Sequence, residues 1–70
     1  MAVIKVIELI GTSPKGWHDA VEEAIKEAAK SVKGITGVDV MNKTAVVKDD
    51  KITEYRAAVK IAFAVEKPKK

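Results

Sequence analysis

The sequence predicts an α+β domain in which one helix covers a three-stranded sheet, in the order β-α-β-β. Three observations carry this expectation. Residues 52–66 alternate with a period of two, the mark of a strand with two unlike faces. Residues 17–32 repeat apolar side chains at three-four spacing, the mark of an amphipathic helix. A short polar turn, Lys48-Asp49-Asp50-Lys51, precedes the last strand and makes strands two and three an antiparallel hairpin.

The first strand is expected over residues 2–10. Val3, Ile4, Val6, Ile7, Leu9 and Ile10 are β-branched or apolar and suit a strand. They fall on both faces, which predicts burial on both sides. Gly11-Thr12-Ser13-Pro14 is expected to break the strand, with Ser13 as the helix N-cap and Pro14 at the first helical position. The helix is then expected over residues 14–33. Trp17, Ala20, Val21, Ala24, Ile25, Ala28 and Val32 form its apolar stripe. Acidic residues gather toward its start and lysines toward its end, which suits the helix dipole. Gly34 is the expected C-cap. Val38, Val40, Val46 and Val47 mark the second strand, with residues 41–44 less regular.

The last strand is the most telling element. Thr53, Tyr55, Ala57, Val59, Ile61, Phe63 and Val65 form one face. Glu54, Arg56, Ala58, Lys60, Ala62, Ala64 and Glu66 form the other. The first face belongs to the core. The second carries three alanines where a solvated face would carry longer polar side chains, so it leaves room for a neighbour to approach. One helix covers only one face of a sheet, and this second face is the candidate interface between copies of the chain.

Size and composition agree. Residues 1–66 read as a single domain and residues 67–70 as a basic C-terminal tail. A chain of 70 residues buries only roughly 60% of its unfolded surface, and such domains usually gain stability from disulfides, metals or oligomerisation. There is no cysteine and only one histidine, His18, which excludes disulfides, thiolate zinc sites and a multi-histidine site within one chain. Oligomerisation remains. The net charge is +3, and the tail alone carries three lysines. The body is therefore neutral, with no basic face that would engage nucleic acid. The apolar N-terminal stretch is too short to span a membrane and lacks the marks of an export signal. The expected location is the cytoplasm.

Catalytic constellations are sparse. Thr12 and Ser13 are hydroxyls without a base. His18 beside Asp19 reads as a solvated surface histidine. Asp49 and Asp50 lack the alternating acids of a calcium loop and read as a turn. Gly11–Gly16 precedes a helix start but lacks the Gly-Lys-Ser/Thr ending of a nucleotide-hydrolysing loop. Trp17 reads as an anchor between helix and sheet, with a stacking platform for a planar ligand as the other reading. Arg56, the sole arginine, lies on the candidate interface. It would either pair with Glu54, Glu66 or Asp39 of a neighbour, or anchor an anion.

These residues resemble a known family. Val6-Ile7-Glu8-Leu9-Ile10-Gly11-Thr12-Ser13, the helix opening at Pro14, Ile52-Thr53-Glu54-Tyr55-Arg56 and the closing Phe63-Ala64-Val65-Glu66 look like the dodecins across nearly the whole chain. The resemblance implies a helix on an antiparallel sheet and a hollow homododecamer. It implies a non-enzymatic binding or storage role, with FMN, riboflavin or a related cofactor held at a symmetry axis. Flavin-binding members stack the ring on a tryptophan where this chain has Gly37, followed by Val38. They hydrogen-bond it through a glutamine where this chain has Arg56. Gly37, Val38 and Arg56 are therefore the ligand-binding candidates, without the stacking ring. A branch lacking that tryptophan, the calcium dodecins, shares the tryptophan of the first helical turn and the Ile-Thr-Glu-Tyr-Arg sequence. This chain looks closer to that branch. The alternative it implies is a flavin-free shell, structural or cation-binding, with calcium drawing on Glu8, Asp39, Glu54 and Glu66 from several copies.

Overall fold

The computed structural model describes residues 3–65. Ala2, Glu66 and the 67–70 tail lie outside the described residues. The element order is β1 (Val3–Ser13), α1 (Trp17–Ala29), β2 (Ile35–Lys48) and β3 (Lys51–Val65). The sheet is antiparallel throughout, in the order β1-β3-β2. β3, the strand with two unlike faces, lies at the centre.

β1 is longer than the sequence suggests. Gly11, Thr12 and Ser13 do not break it; they stay paired opposite Ala57, Arg56 and Tyr55. The glycine serves packing here, and does not make a turn. A Cβ at Gly11 would run into the backbone carbonyl oxygen of Ala20 and lie 3.0 Å from the Ala24 Cβ. A bare strand position thus lets α1 settle directly on the sheet.

α1 is shorter than expected at both ends. Gly16 occupies the N-cap position and makes no side-chain cap bond. Ser13 works from outside the helix. Its hydroxyl donates to Asp19 Oδ2 at 2.6 Å and accepts from the Lys15 backbone N–H at 2.9 Å. This fixes the strand-to-helix corner, and the Asp19 carboxylate sits in the first turn, where the dipole favours it. At the other end Lys30 is the C-cap. Ser31 and Val32 both turn their N–H groups onto the Ala28 carbonyl. Gly34 is not the cap; at φ 78° it supplies the left-handed turn into β2, and its carbonyl accepts from the Ala64 N–H at 3.0 Å.

The core is small. Ala20, Ala24 and Ala28 of α1 meet Ala57, Val59 and Ile61 of β3, with Ile7, Leu9, Val21, Ile25, Val32 and Ile35 packed around them. The predicted stripe and the predicted core face of the last strand meet as expected. Tyr55 and Phe63 are half-buried at the ends of that face. The opposite face is uncovered within the chain. Ile4, Val6 and Ile10 are 53%, 52% and 67% exposed, so β1 is not buried on both sides by its own chain. The cause is geometric: one helix lies on one side.

The β2–β3 hairpin turns at Asp49 and Asp50, with φ of 52° and 63°. Two successive positive φ values mark the primed turn that matches strand twist, and aspartate tolerates them better than most residues. The acidic pair is therefore a turn. The irregularity expected over residues 41–44 appears as a bulge: Val40 faces Val59 and Asn42 faces Ala58, leaving Met41 unpaired between them.

Two substitutions separate the roles of the glycines. Gly11→Ala is expected to lower unfolding stability by about 3 kcal/mol, because the backbone it meets cannot retreat. Gly37→Ala, with open space around it, should change stability by no more than about 0.5 kcal/mol. Urea unfolding of both variants checks this. Ser13→Ala is expected to cost about 2 kcal/mol by leaving the Asp19 carboxylate short of a donor, read from the same curves.

Candidate functional site

The register of the sheet assembles the open face. Ile10 lies opposite Ala58, Val6 opposite Ala62 and Ile4 opposite Ala64. Directly opposed residues share a face of the sheet. The alanines of β3 thus form a low central groove, flanked on β1 by exposed isoleucine and valine. The bulged Met41, 43% exposed, joins Glu8, Leu9, Ile10 and Ala58 around a shallow hollow of about 280 Å³.

Charge crosses this face in one row. Lys60 on β3 lies opposite Glu8 on β1 and opposite Asp39 on β2. Two of the candidate carboxylates therefore flank one lysine, which offsets their repulsion across the sheet. All three side chains are exposed. Further along, Arg56 lies opposite Thr12 and Thr44. Its Nε donates to Glu54 Oε2 at 2.7 Å, with the two side chains 50% and 37% exposed. Arg56 thus has its partner within its own strand, two residues away on the same face. Glu66, the fourth candidate, lies outside the described residues. Among the described residues, no three acidic, histidine or cysteine side chains cluster closely enough to hold a metal ion within one chain.

The three ligand-binding candidates do not converge within one chain. Gly37 lies opposite Ala62 on the open face, whereas Val38 lies opposite the core residue Ile61 and turns toward the helix side. Arg56 shares the open face with Gly37 but sits six β3 positions from Ala62, about 20 Å along the strand. The alternation of the last strand already placed Lys60 on this face, but only cross-strand register sets it between Glu8 and Asp39. Met41 was not legible as a member of this surface, because the bulge that presents it has no sequence signal beyond a weak break in alternation.

Trp17 is neither buried nor free. Its Nε1–H donates to the Thr44 carbonyl at 2.9 Å. Its ring meets Tyr55 edge-on, with centroids 4.8 Å apart and planes at 79°, a favoured aromatic geometry. The indole thus fastens the first helical turn to both β2 and β3 while staying half-exposed. His18 is on the surface, with Nε2 3.2 Å from Glu22 Oε2. No helix among the described residues is long and apolar enough to cross a membrane.

Comparison with known proteins agrees with this architecture. The family model described as Dodecin matches residues 3–66. The calcium dodecin of Mycobacterium tuberculosis is 36% identical over 63 residues, covering 90% of this chain and 89% of that protein. The solved structure of a calcium dodecin from M. tuberculosis, described as calcium-chelating with a novel calcium-binding site, superposes with a TM-score of 0.79 at 35% identity, covering 97% of each chain. The dodecin of Thermus thermophilus is 27% identical over 64 residues, covering 91% of this chain and 93% of that protein. Strand order, helix placement and sequence therefore converge, and the chain belongs to the dodecin family.

Proposed function

We propose that the protein is a self-assembling, non-enzymatic shell, a hollow homododecamer, that holds calcium at sites shared between copies. The observation that carries this is the open sheet face. It presents Ile4, Val6 and Ile10, each more than half exposed, beside a strand lined with alanine. Covering each of these side chains contributes on the order of 1 kcal/mol, since part of each is already buried. A second sheet can approach closely over Ala58, Ala62 and Ala64.

The cation reading rests on the same face. Glu8 and Asp39 flank Lys60 there, and Glu54 lies further along it. Calcium takes about six to eight oxygens, more than these exposed carboxylates of one chain bring together, so neighbouring copies complete the set. Glu66, outside the described residues, is carried over from the sequence as a further candidate donor. A relative of 36% identity is itself a calcium dodecin, which favours calcium among the cations. Catalysis has little to draw on. The Ser13 hydroxyl is buried and committed to Asp19 and Lys15, and His18 is an exposed side chain paired with Glu22.

FMN or riboflavin finds less support. Gly37 offers no ring, Val38 turns to the other side of the sheet, and Arg56 is bonded to Glu54. Binding of a flavin would have to draw these residues from different copies.

Native mass spectrometry and calorimetry test the proposal together. The expected result is a single twelve-chain species and saturable calcium uptake that weakens in Glu8→Gln and Asp39→Asn. A stable monomer overturns the shell. A full assembly that takes up riboflavin or FMN but no calcium overturns the cation reading alone. Ala62→Glu places a charge where sheets approach and should abolish the assembly, since an unpaired buried charge is strongly destabilising. Size-exclusion chromatography reads this directly, and an unchanged elution volume would show that Ala62 lies outside the interface.

A further inference from the structure

We propose that the groove between the first turn of α1 and the β2 edge binds a small aromatic carboxylate. This groove lies on the helix side of the sheet, away from the open face described above. Its lining is Trp17, His18, Val21, Val38, Val40 and Lys43, around a volume of about 330 Å³. That lies at the lower end of the range for small-molecule sites, which combine apolar walls with a few polar groups.

The apolar part is already in place. Val38 and Val40 are each 39% exposed, although both belong to the helix side of β2. Trp17 is fixed at two points, through its Nε1–H to Thr44 and edge-on against Tyr55. A ligand that packs against this indole need not order it first, which removes a common cost of binding.

The polar part selects for charge. Lys43 lies in the lining and, among the described residues, has no carboxylate partner. His18 also lines the groove, but its Nε2 lies 3.2 Å from Glu22 Oε2, so Lys43 alone supplies the charge; no acidic residue is in the lining itself. One lysine matches one carboxylate. A phosphate monoester, with close to two charges, would be poorly neutralised. The indole of Trp17 gives the lining a flat face beside three valines, and a ring packs on such a face with a gain beyond area burial, so the remainder of the ligand is aromatic.

The sole tryptophan gives the test its readout. The assembled protein is titrated with benzoate and with benzamide, which has nearly the same shape and no charge. Trp17 emission is followed with excitation at the long-wavelength edge of its absorption. The expected result is a saturable change with benzoate at a Kd on the order of 1 mM, given its few heavy atoms, and at least about fivefold weaker binding of benzamide. Lys43→Gln should weaken benzoate about fivefold, the scale of one partly exposed charge pair, and leave benzamide and the size of the assembly unchanged. Equal response to both probes, no saturation with benzoate, or an unchanged benzoate titration in Lys43→Gln overturns the proposal. The groove is formed within one chain, so these results are independent of calcium uptake.

Discussion

The structure depends on a mismatch of lengths. α1 has 13 residues, about 20 Å of helix. β3 has 15 residues, about 50 Å of strand. A helix that short, on one side only, shields a fraction of the sheet it rests on. The molecule is accordingly elongated, 60 × 19 × 13 Å. Its buried apolar side chains are few: three alanines from the helix, with Ala57, Val59 and Ile61 from β3. The compensation for so small a core is close approach. Gly11 and the alanine stripe bring helix and sheet backbones together, so that limited apolar surface is packed tightly.

The same mismatch explains the two surfaces left over. On the open face, the alternation of β3 places alanines between β1 residues that remain exposed. That face is apolar enough to be covered and narrow enough for another sheet to lie against it. On the helix side, α1 ends its coverage before the β2 edge, and the valines at 38 and 40 stay partly open beside Trp17. One surface suits a large flat partner and the other a small ligand. Both follow from where the helix stops.

Polar residues fix corners and registers. The Ser13 hydroxyl bridges Asp19 and the Lys15 amide and so determines how the chain leaves β1 and enters α1. The Trp17 indole ties that first turn to the backbone of β2. Lys60 between Glu8 and Asp39 sets a cation on the central strand between an acid on each edge strand. None of these contacts is worth more than a few kcal/mol, yet each fixes a position that burial alone would leave free to slide.

Much of this was legible in the chain itself. Period-two alternation over β3, three-four spacing over α1 and a polar turn at Asp49-Asp50 are local patterns, and local patterns report element type and buried face. Self-association followed from the same reading, because an alanine-lined face opposite a core face has no partner within one copy. The tertiary structure decided what depends on residues distant in sequence. Gly11 looked like a break, yet pairing with Ala57 and contact with Ala20 keep it within a strand. Ser13 looked like a cap, but the same pairing holds its backbone in β1 and leaves only its side chain to serve the helix. Gly37 and Val38 are neighbours in sequence but face opposite sides, because a pleated strand alternates. Lys60 joins Glu8 and Asp39 only through cross-strand register, and register is set by pairing over the whole sheet.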